Sequence, residues 1–251
     1  MSLIRDTLIM TKRSLRHTIR SVDTIITVAA TPIALMLMFV FVMGNAFNPG
    51  SGTYINYITP GIAVMTVLSG TAYAAFRLNV DIQKGIINRF KTMPVAASSI
   101  LGGQAVSSVL SSLFSVLLVL LVALLAGYRS GAGIAEWLLF GGILTLFAAA
   151  MTWIAIYFGL IAKTVEGSAG FSYILLLLLF ISSAFTPTQI MHPSLHWFAE
   201  HQPMTPIVET MRSLLTNGTA GPDVFVAIGW CVLLLAGFYA LAIRAFKRVI
   251  A

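Results

Sequence analysis

DIQKGIINRFKTMP, residues Asp81 to Pro94, is the most charged internal stretch of the chain and lies between two long apolar segments. Ile82, Ile86, Phe90 and Met93 recur at helical spacing, and Lys84, Asn88 and Lys91 fall largely opposite them. The pattern predicts an amphipathic helix of about three turns. Pro94 stops it, because a proline pushes the residue before it out of the helical region. Held between two apolar segments, such a helix has two places for its apolar face. One is the membrane surface and the other is a groove on a soluble partner.

The flanking segments set the class of the whole chain. Of its 251 residues 58% are hydrophobic and 9% charged, whereas a soluble domain carries about 25% charged residues. The chain reads as an all-α integral membrane protein with a single domain over 1–251. The formal net charge is +7. Its basic residues flank apolar runs instead of clustering on a polar surface, which points to lipid headgroups and away from nucleic acid. The single cysteine, Cys231, stands inside an apolar run and reads as a small buried hydrophobe. The first twenty residues are basic and amphipathic and lack the short apolar core and cleavage site of a signal peptide.

Residues 1–22 read as an interfacial helix. Ile4, Leu8, Leu15 and Ile19 share one face, and Arg5, Lys12, Arg13, Arg16 and Arg20 share the adjacent membrane-surface face. Six transmembrane helices are expected at 24–43, 54–76, 100–126, 137–161, 169–185 and 224–243, since a span needs about 20 apolar residues. In the third, Gly103, Ser107, Ser111 and Ser115 recur every four residues, a stripe that lets helix backbones approach closely. The stretch 186–222 holds five prolines and three of the four histidines. It is too broken to cross and reads as an extracellular re-entrant segment with two short helices, over Leu195–Ala199 and Ile207–Leu215.

Charge orients the plan. Thirteen of the fifteen Lys and Arg residues lie in the two terminal segments and in the 77–99 and 163–167 loops, and only Arg129 and Arg212 lie on the other side. The positive-inside rule puts both termini and Asp81–Pro94 in the cytoplasm. A seventh crossing within 186–222 would carry the basic C-terminal segment outside.

Several chemistries are missing from the sequence. There is no phosphate-binding glycine loop, since GLIAKT at Gly159–Thr164 lacks the second glycine, so no ATP site is expected on this chain. No ionisable residue sits clearly at mid-membrane, which weighs against an ion-coupled carrier. No convergent acid, base or nucleophile set suggests an enzyme. His192, His196 and Glu200 stand at four-residue spacings that can gather metal ligands on one helix face, but the same residues suit an exposed loop, and no metal is assigned. Glu209 and Arg212, three apart, can pair for a few tenths of a kcal/mol.

Two segments carry a family resemblance. In DIQKGIINRFKTMPVAASSILGGQ an acidic residue, a glycine, an arginine and a proline stand at Asp81, Gly85, Arg89 and Pro94. In SSAFTPTQIMHPSLHWFAEHQPMTPIVETMR the order Phe-x-Pro, spaced prolines and a final arginine falls on Phe185, Pro187, Pro193, Pro203, Pro206 and Arg212, with Gln202 where an asparagine is usual. With the six-span plan, these segments resemble type-2 ABC exporter permeases, and RSLRHTIRSVDTIIT before Pro32 is similar to the daunorubicin-resistance branch. The resemblance implies that 81–94 is a coupling helix, docking through Asp81, Ile82, Gly85, Ile86, Arg89, Phe90 and Pro94 on a separate ATP-binding subunit. It implies two such subunits holding ATP and Mg, no cofactor on this chain, and a second permease copy. It makes the 186–222 segment the outer gate for an amphiphilic substrate, drug-like or lipid-like. Three other readings stay open: export of a lipid-linked glycan or lipid, a secondary carrier, and a non-transporting membrane subunit.

Overall fold

The computed structural model describes residues 22–44, 54–85, 97–218, 221 and 223–250. The interfacial helix expected at the start of the chain, with Arg5, Lys12, Arg13, Arg16 and Arg20, lies outside the described residues. So do Ile86, Arg89, Phe90 and Pro94 of the segment quoted first.

The described regular structure is helical throughout. We number the helices α1 (Val22–Met38, prolonged by a π-helical turn over Phe39–Met43), α2 (Tyr54–Gln83), α3 (Ala97–Leu125), α4 (Ile134–Ile161), α5 (Val165–Ala169), α6 (Phe171–Phe180), α7 (Pro193–His201), α8 (Met204–Asn217) and α9 (Asp223–Ile250). Among the described residues four helices are long and apolar enough to cross a membrane, over Tyr54–Gln83, Leu101–Leu125, Ile134–Ile161 and Asp223–Arg248. Val28–Val42 and Val165–Phe180 are shorter apolar stretches. The chain is a multi-pass membrane protein, and its described regular structure is all helical.

α2 is the centre. Its apolar window is 78% buried, whereas that of α9 is 11% buried, so α2 packs on protein and α9 presents most of its surface outward. α2 touches α1, α3, α4, α5, α6 and α8, and α9 lies along α4 and α8. A helix surrounded in this way must satisfy its own polar side chains. Thr59, Thr66, Ser69 and Thr71 donate to the carbonyls one turn back, at Ile55, Ile62, Met65 and Val67. Gly61 allows the closest approach. A Cβ there would lie 2.7 Å from the Ala184 carbonyl oxygen, inside van der Waals contact.

Several boundaries differ from expectation. α2 does not stop near Arg77; it continues to Gln83, so Asp81 and Ile82 close this helix and do not begin a new one. The extra turns are held by amides. Asn79, 1% exposed, donates through Nδ2 to the carbonyls of Gly159 (3.0 Å) and Ala162 (2.8 Å), and Gln83 Nε2 donates to Asn79 Oδ1 (2.9 Å). These bonds cap the last carbonyls of α4, which would otherwise have no partner. The helix then ends at Gly85, whose φ of +68° is a left-handed conformation that glycine adopts without a Cβ clash.

The fifth apolar stretch differs as well. It begins before Ala169, as the short helix α5, which Thr164 caps by accepting the Gly167 N–H at 3.1 Å. It also ends early: α6 stops at Phe180 and the backbone over Ile181–Thr186 is not helical. In the re-entrant segment α7 and α8 run longer than the two short helices expected, and α8 ends with Gly218 at φ +63°.

The amide clamp predicts a cost for Asn79→Leu. The Gly159 and Ala162 carbonyls lose their partner in a buried place, and such interhelical bonds in membrane proteins are worth about 0.6–2 kcal/mol. The melting temperature in detergent should fall, and proteolysis at the α4–α5 junction should rise.

Candidate functional site

The unwound run after α6 sets the chemistry of this site. Backbone carbonyls that leave a helix inside a membrane protein find no water to bond to, so side chains must reach them. Three side chains do. Tyr57 Oη donates to the Ser183 carbonyl at 3.0 Å, and Tyr54 Oη to that of Phe185 at 3.2 Å. Arg212 Nη2 donates to Ser183 O at 2.6 Å and also reaches Ala184 O at 3.4 Å. Ser182 turns its own hydroxyl back to the Leu179 carbonyl and accepts the Ala184 N–H.

Arg212 is held on all sides. Its Nε donates to the Tyr57 carbonyl at 3.1 Å and its Nη1 meets Glu209 Oε1 at 2.5 Å. Its guanidinium carbon sits 3.8 Å from the centroid of the Tyr57 ring. The planar fork of arginine can stack on a ring and hydrogen-bond at its edge together, which a lysine cannot do. The arginine side chain is 11% exposed and that of Glu209 38%. The ion pair is therefore partly screened, and most of the energy lies in the charge-assisted bonds to carbonyls, worth about 1.5–3 kcal/mol each. One side chain on α8 thus joins α2 to the unwound segment.

Local sequence explains why α7 and α8 present these groups. Pro193 stands at the first position of α7, where its missing N–H costs nothing, and His192 caps the helix by accepting the Ser194 N–H. Pro203 precedes α8, and Pro206 lies in its first turn, again where no intrahelical bond is lost. Gln202, 4% exposed, donates through Nε2 to the Leu178 carbonyl at 2.7 Å. Thr205 Oγ1 bonds Ala199 O across the α7–α8 corner. Ser130 Oγ donates to Leu215 O at 2.8 Å and ties the far end of α8 to the turn after α3.

The structure brings some of the expected residues together and separates others. Phe185 is buried and stacks between Phe39 and Phe180, at 5.3 and 4.9 Å. Its carbonyl and those just before it are the ones that Tyr54, Tyr57 and Arg212 hold. Pro187 precedes a single 3-10 turn over Thr188–Ile190, and Pro193, Pro203 and Pro206 shape α7 and α8. At the other end of α2 lie Asp81, Ile82 and Gly85. Ile82 packs on a separate small core around Leu78, Leu101 and Phe246. His196 donates from Nδ1 to Thr188 O at 2.9 Å and places Nε2 3.4 Å from Glu200. With His192 used as a cap, no group of three metal-ligating side chains comes together among the described residues.

Sequence reasoning missed Tyr54, Tyr57 and Asn79. The two tyrosines stand at the end of an apolar run, where aromatic side chains are expected at the membrane interface. Nothing local says that their hydroxyls reach a segment more than 120 residues away.

Comparison with known proteins places the chain in a family. Residues 5–216 match the ABC-2 type transporter family. The daunorubicin resistance ABC transporter permease protein DrrB1 of Streptomyces coeruleorubidus is 29% identical over 226 residues, 89% of this chain and 80% of the relative. The probable doxorubicin resistance ABC transporter permease protein DrrC of Mycobacterium tuberculosis is 27% identical over 222 residues, 86% of this chain and 78% of the relative. The chain belongs to the ABC-2 type transporter family. It is the membrane-spanning permease of an ATP-driven exporter, and ATP hydrolysis takes place on a separate ATP-binding subunit.

Arg212→Gln should remove the stack and free the Ser183 carbonyl, lowering stability by about 2–3 kcal/mol. Combined with Tyr57→Leu the losses should fall short of additivity by about 0.5–2 kcal/mol, because the two side chains share one contact. Thermal melts of the four proteins in one detergent measure this coupling, and strict additivity would contradict the described contact.

Proposed function

We propose that the chain exports an amphiphilic, drug-like or lipid-like substrate from the cytoplasm or inner leaflet. It works as one of two permease copies with two ATP-binding subunits, which hold the ATP and Mg. In this reading both termini and the 81–94 segment face the cytoplasm and the α7–α8 segment faces outward. The coupling contact is made by Asp81, Ile82, Gly85, Ile86, Arg89, Phe90 and Pro94. The outer gate is built from Phe185, Pro187, Pro193, Pro203, Pro206 and Arg212. The names of the two relatives, which refer to daunorubicin and doxorubicin resistance, support a drug-like substrate.

One observation carries the mechanism. α2 runs as a single helix of 30 residues, about 45 Å long, from the Tyr54–Tyr57 clamp to Gly85. Movement of the partner subunits against the coupling segment would tilt one stiff rod. Its far end holds the carbonyls of the unwound segment through Tyr54 and Tyr57, and Arg212 of α8 bonds both Tyr57 and the same segment. Release of those bonds would then allow α7 and α8 to swing and open a path between the two permeases. The positive φ of Gly85 gives the coupling segment a joint distinct from the rod.

Co-purification with the ATP-binding subunit, followed by ATP turnover and export from inverted vesicles, tests this. The wild-type complex should hydrolyse ATP and accumulate the substrate. Gly85→Pro and Arg89→Glu should leave ATP-subunit turnover uncoupled or dissociate the complex, with export reduced about tenfold or more. Arg212→Lys should leave the complex intact and change export alone. An unaltered export rate in all three variants would sink the proposal.

A further inference from the structure

The corner between α7 and α8 is tied to α6 by an amide. α6 ends at Phe180, and the Ser182 N–H, which would serve the Leu178 carbonyl in a continuing α-helix, turns to Leu179 O at 3.1 Å instead. Gln202 takes its place. Its Nε2 donates to Leu178 O at 2.7 Å, across 24 positions of chain. The contact itself identifies the nitrogen, since an amide oxygen would be repelled so close to a carbonyl oxygen. Gln202 stands at the corner. Its N–H closes α7 on the Phe198 carbonyl at 3.1 Å, its backbone is extended as the following Pro203 requires, and α8 begins at Met204. The other polar bonds of the corner stay within it or reach the 3-10 turn, from Thr205 to Ala199 and from His196 to Thr188.

The bond meets half of what this side chain needs. Gln202 is 4% exposed, and its Oε1 finds no donor among the described residues. Ser183, in the run that follows Leu178, shows the same division. Tyr57 and Arg212 serve its carbonyl, whereas its own buried hydroxyl has no partner among the described residues. The carbonyls at this junction are thus met, and two side-chain polar atoms beside them are not. A buried polar atom without a partner costs at least as much as one neutral hydrogen bond gives. The closed contact therefore loses at Oε1 much of what it gains at Nε2. Parting the corner from α6 would bring water to Oε1 and to the Ser183 hydroxyl.

We infer that Gln202 is a positioning residue of the outer gate. Its amide holds the α7–α8 corner on α6 while the gate is closed, and the bond to Leu178 breaks in each transport cycle. Gln202 and Arg212 divide the work. Arg212 fastens α8 to α2 and to the unwound run through several charge-assisted bonds and a stack on Tyr57, and Gln202 fastens the corner to α6 through one neutral bond. The neutral bond is the weaker, so the corner parts from α6 before α8 leaves α2. α7 is free to follow it, since it packs chiefly on α8 and the 3-10 turn. This adds a residue to the outer-gate reading and rests on that reading.

Thiol accessibility tests this in the full chain with its ATP-binding subunit, in right-side-out membrane vesicles loaded with ADP or ATP. Ser183→Cys is the reporter, since the Ser183 side chain makes no bond that the change would break, and the buried Cys231 is replaced by alanine. The impermeant reagent is sulfonatoethyl methanethiosulfonate. A thiol in the closed, water-poor junction stays protonated and reacts slowly. With Gln202 in place, reaction should be about tenfold faster under ATP than under ADP, the factor that one hydrogen bond can hold back. Gln202→Glu keeps the shape and loses the donor, so under ADP it should already react about tenfold faster than the Gln202 protein, with little further response to ATP. Gln202→Asn keeps the amide, one methylene shorter, and should restore the response to ATP, which a loss of stability alone would not do. If Gln202→Glu does not assemble, Gln202→Met, uncharged and of similar length, carries the same expectation. If these donor-free variants react as slowly under ADP as the Gln202 protein and still answer to ATP, the gate stands and Gln202 is no part of it. If Gln202→Asn behaves as Gln202→Glu, the amide does not hold the corner and the inference falls. If the Gln202 protein never answers to ATP, the outer-gate reading falls, and fast reaction of Gln202→Glu then marks a structural tie alone.

Discussion

A backbone that leaves helical form inside a membrane protein must have its carbonyls met by donors from elsewhere. The run Ile181–Thr186 imposes that demand here, and much of the arrangement around it follows. Tyr54, Tyr57 and Arg212 meet it from two different helices. To bring them within reach, α2 must approach the run closely enough that Gly61 has no room for a side chain. α8 must lie across the same point, and the prolines before and within its first turn set where it starts. Phe185, its carbonyl held, fills the space between Phe39 and Phe180.

The same economy governs the other end of α2. Asn79 and Gln83 cover the last carbonyls of α4 and the turn that follows. Both ends of the central helix are therefore fixed by side-chain donors on backbone acceptors, about 33 Å apart from Tyr57 to Asn79. Between them the helix satisfies its own hydroxyls and packs on its neighbours through apolar and small side chains. Such a rod transmits displacement between its ends better than it absorbs it, because packed interiors are stiff. The left-handed Gly85 marks where the helix stops.

Some of this was legible in the residues and some was not, and the division has a physical cause. Helix formation over long apolar runs, the short helices in the proline-rich segment, and glycine terminating α8 depend on neighbours within a few residues, so the sequence shows them directly. The pairing of Glu209 with Arg212 is local in the same way. The family resemblance, too, rested on two contiguous segments, and residues 5–216 match that family. By contrast, Asp81 and Ile82 looked like the start of an amphipathic helix because hydrophobic spacing continues smoothly from one helix into the next. The amide of Asn79, bonded to the end of α4, and that of Gln83, bonded to Asn79, go with their closing the earlier one.

By itself, then, the sequence determined an all-helical membrane chain, its apolar segments and its breakers, because the bilayer demands internally bonded backbone and apolar side chains of every crossing segment. The tertiary structure alone decided which donor serves which carbonyl. Arg212 was readable as a cation beside Glu209; that it stacks on Tyr57 and holds Ser183 was not, because those partners lie 155 and 29 positions away. The serine row of α3 was readable as a place for helices to meet. How closely they meet depends on Gly70 standing opposite Ser112, a relation between two helices that no local pattern encodes.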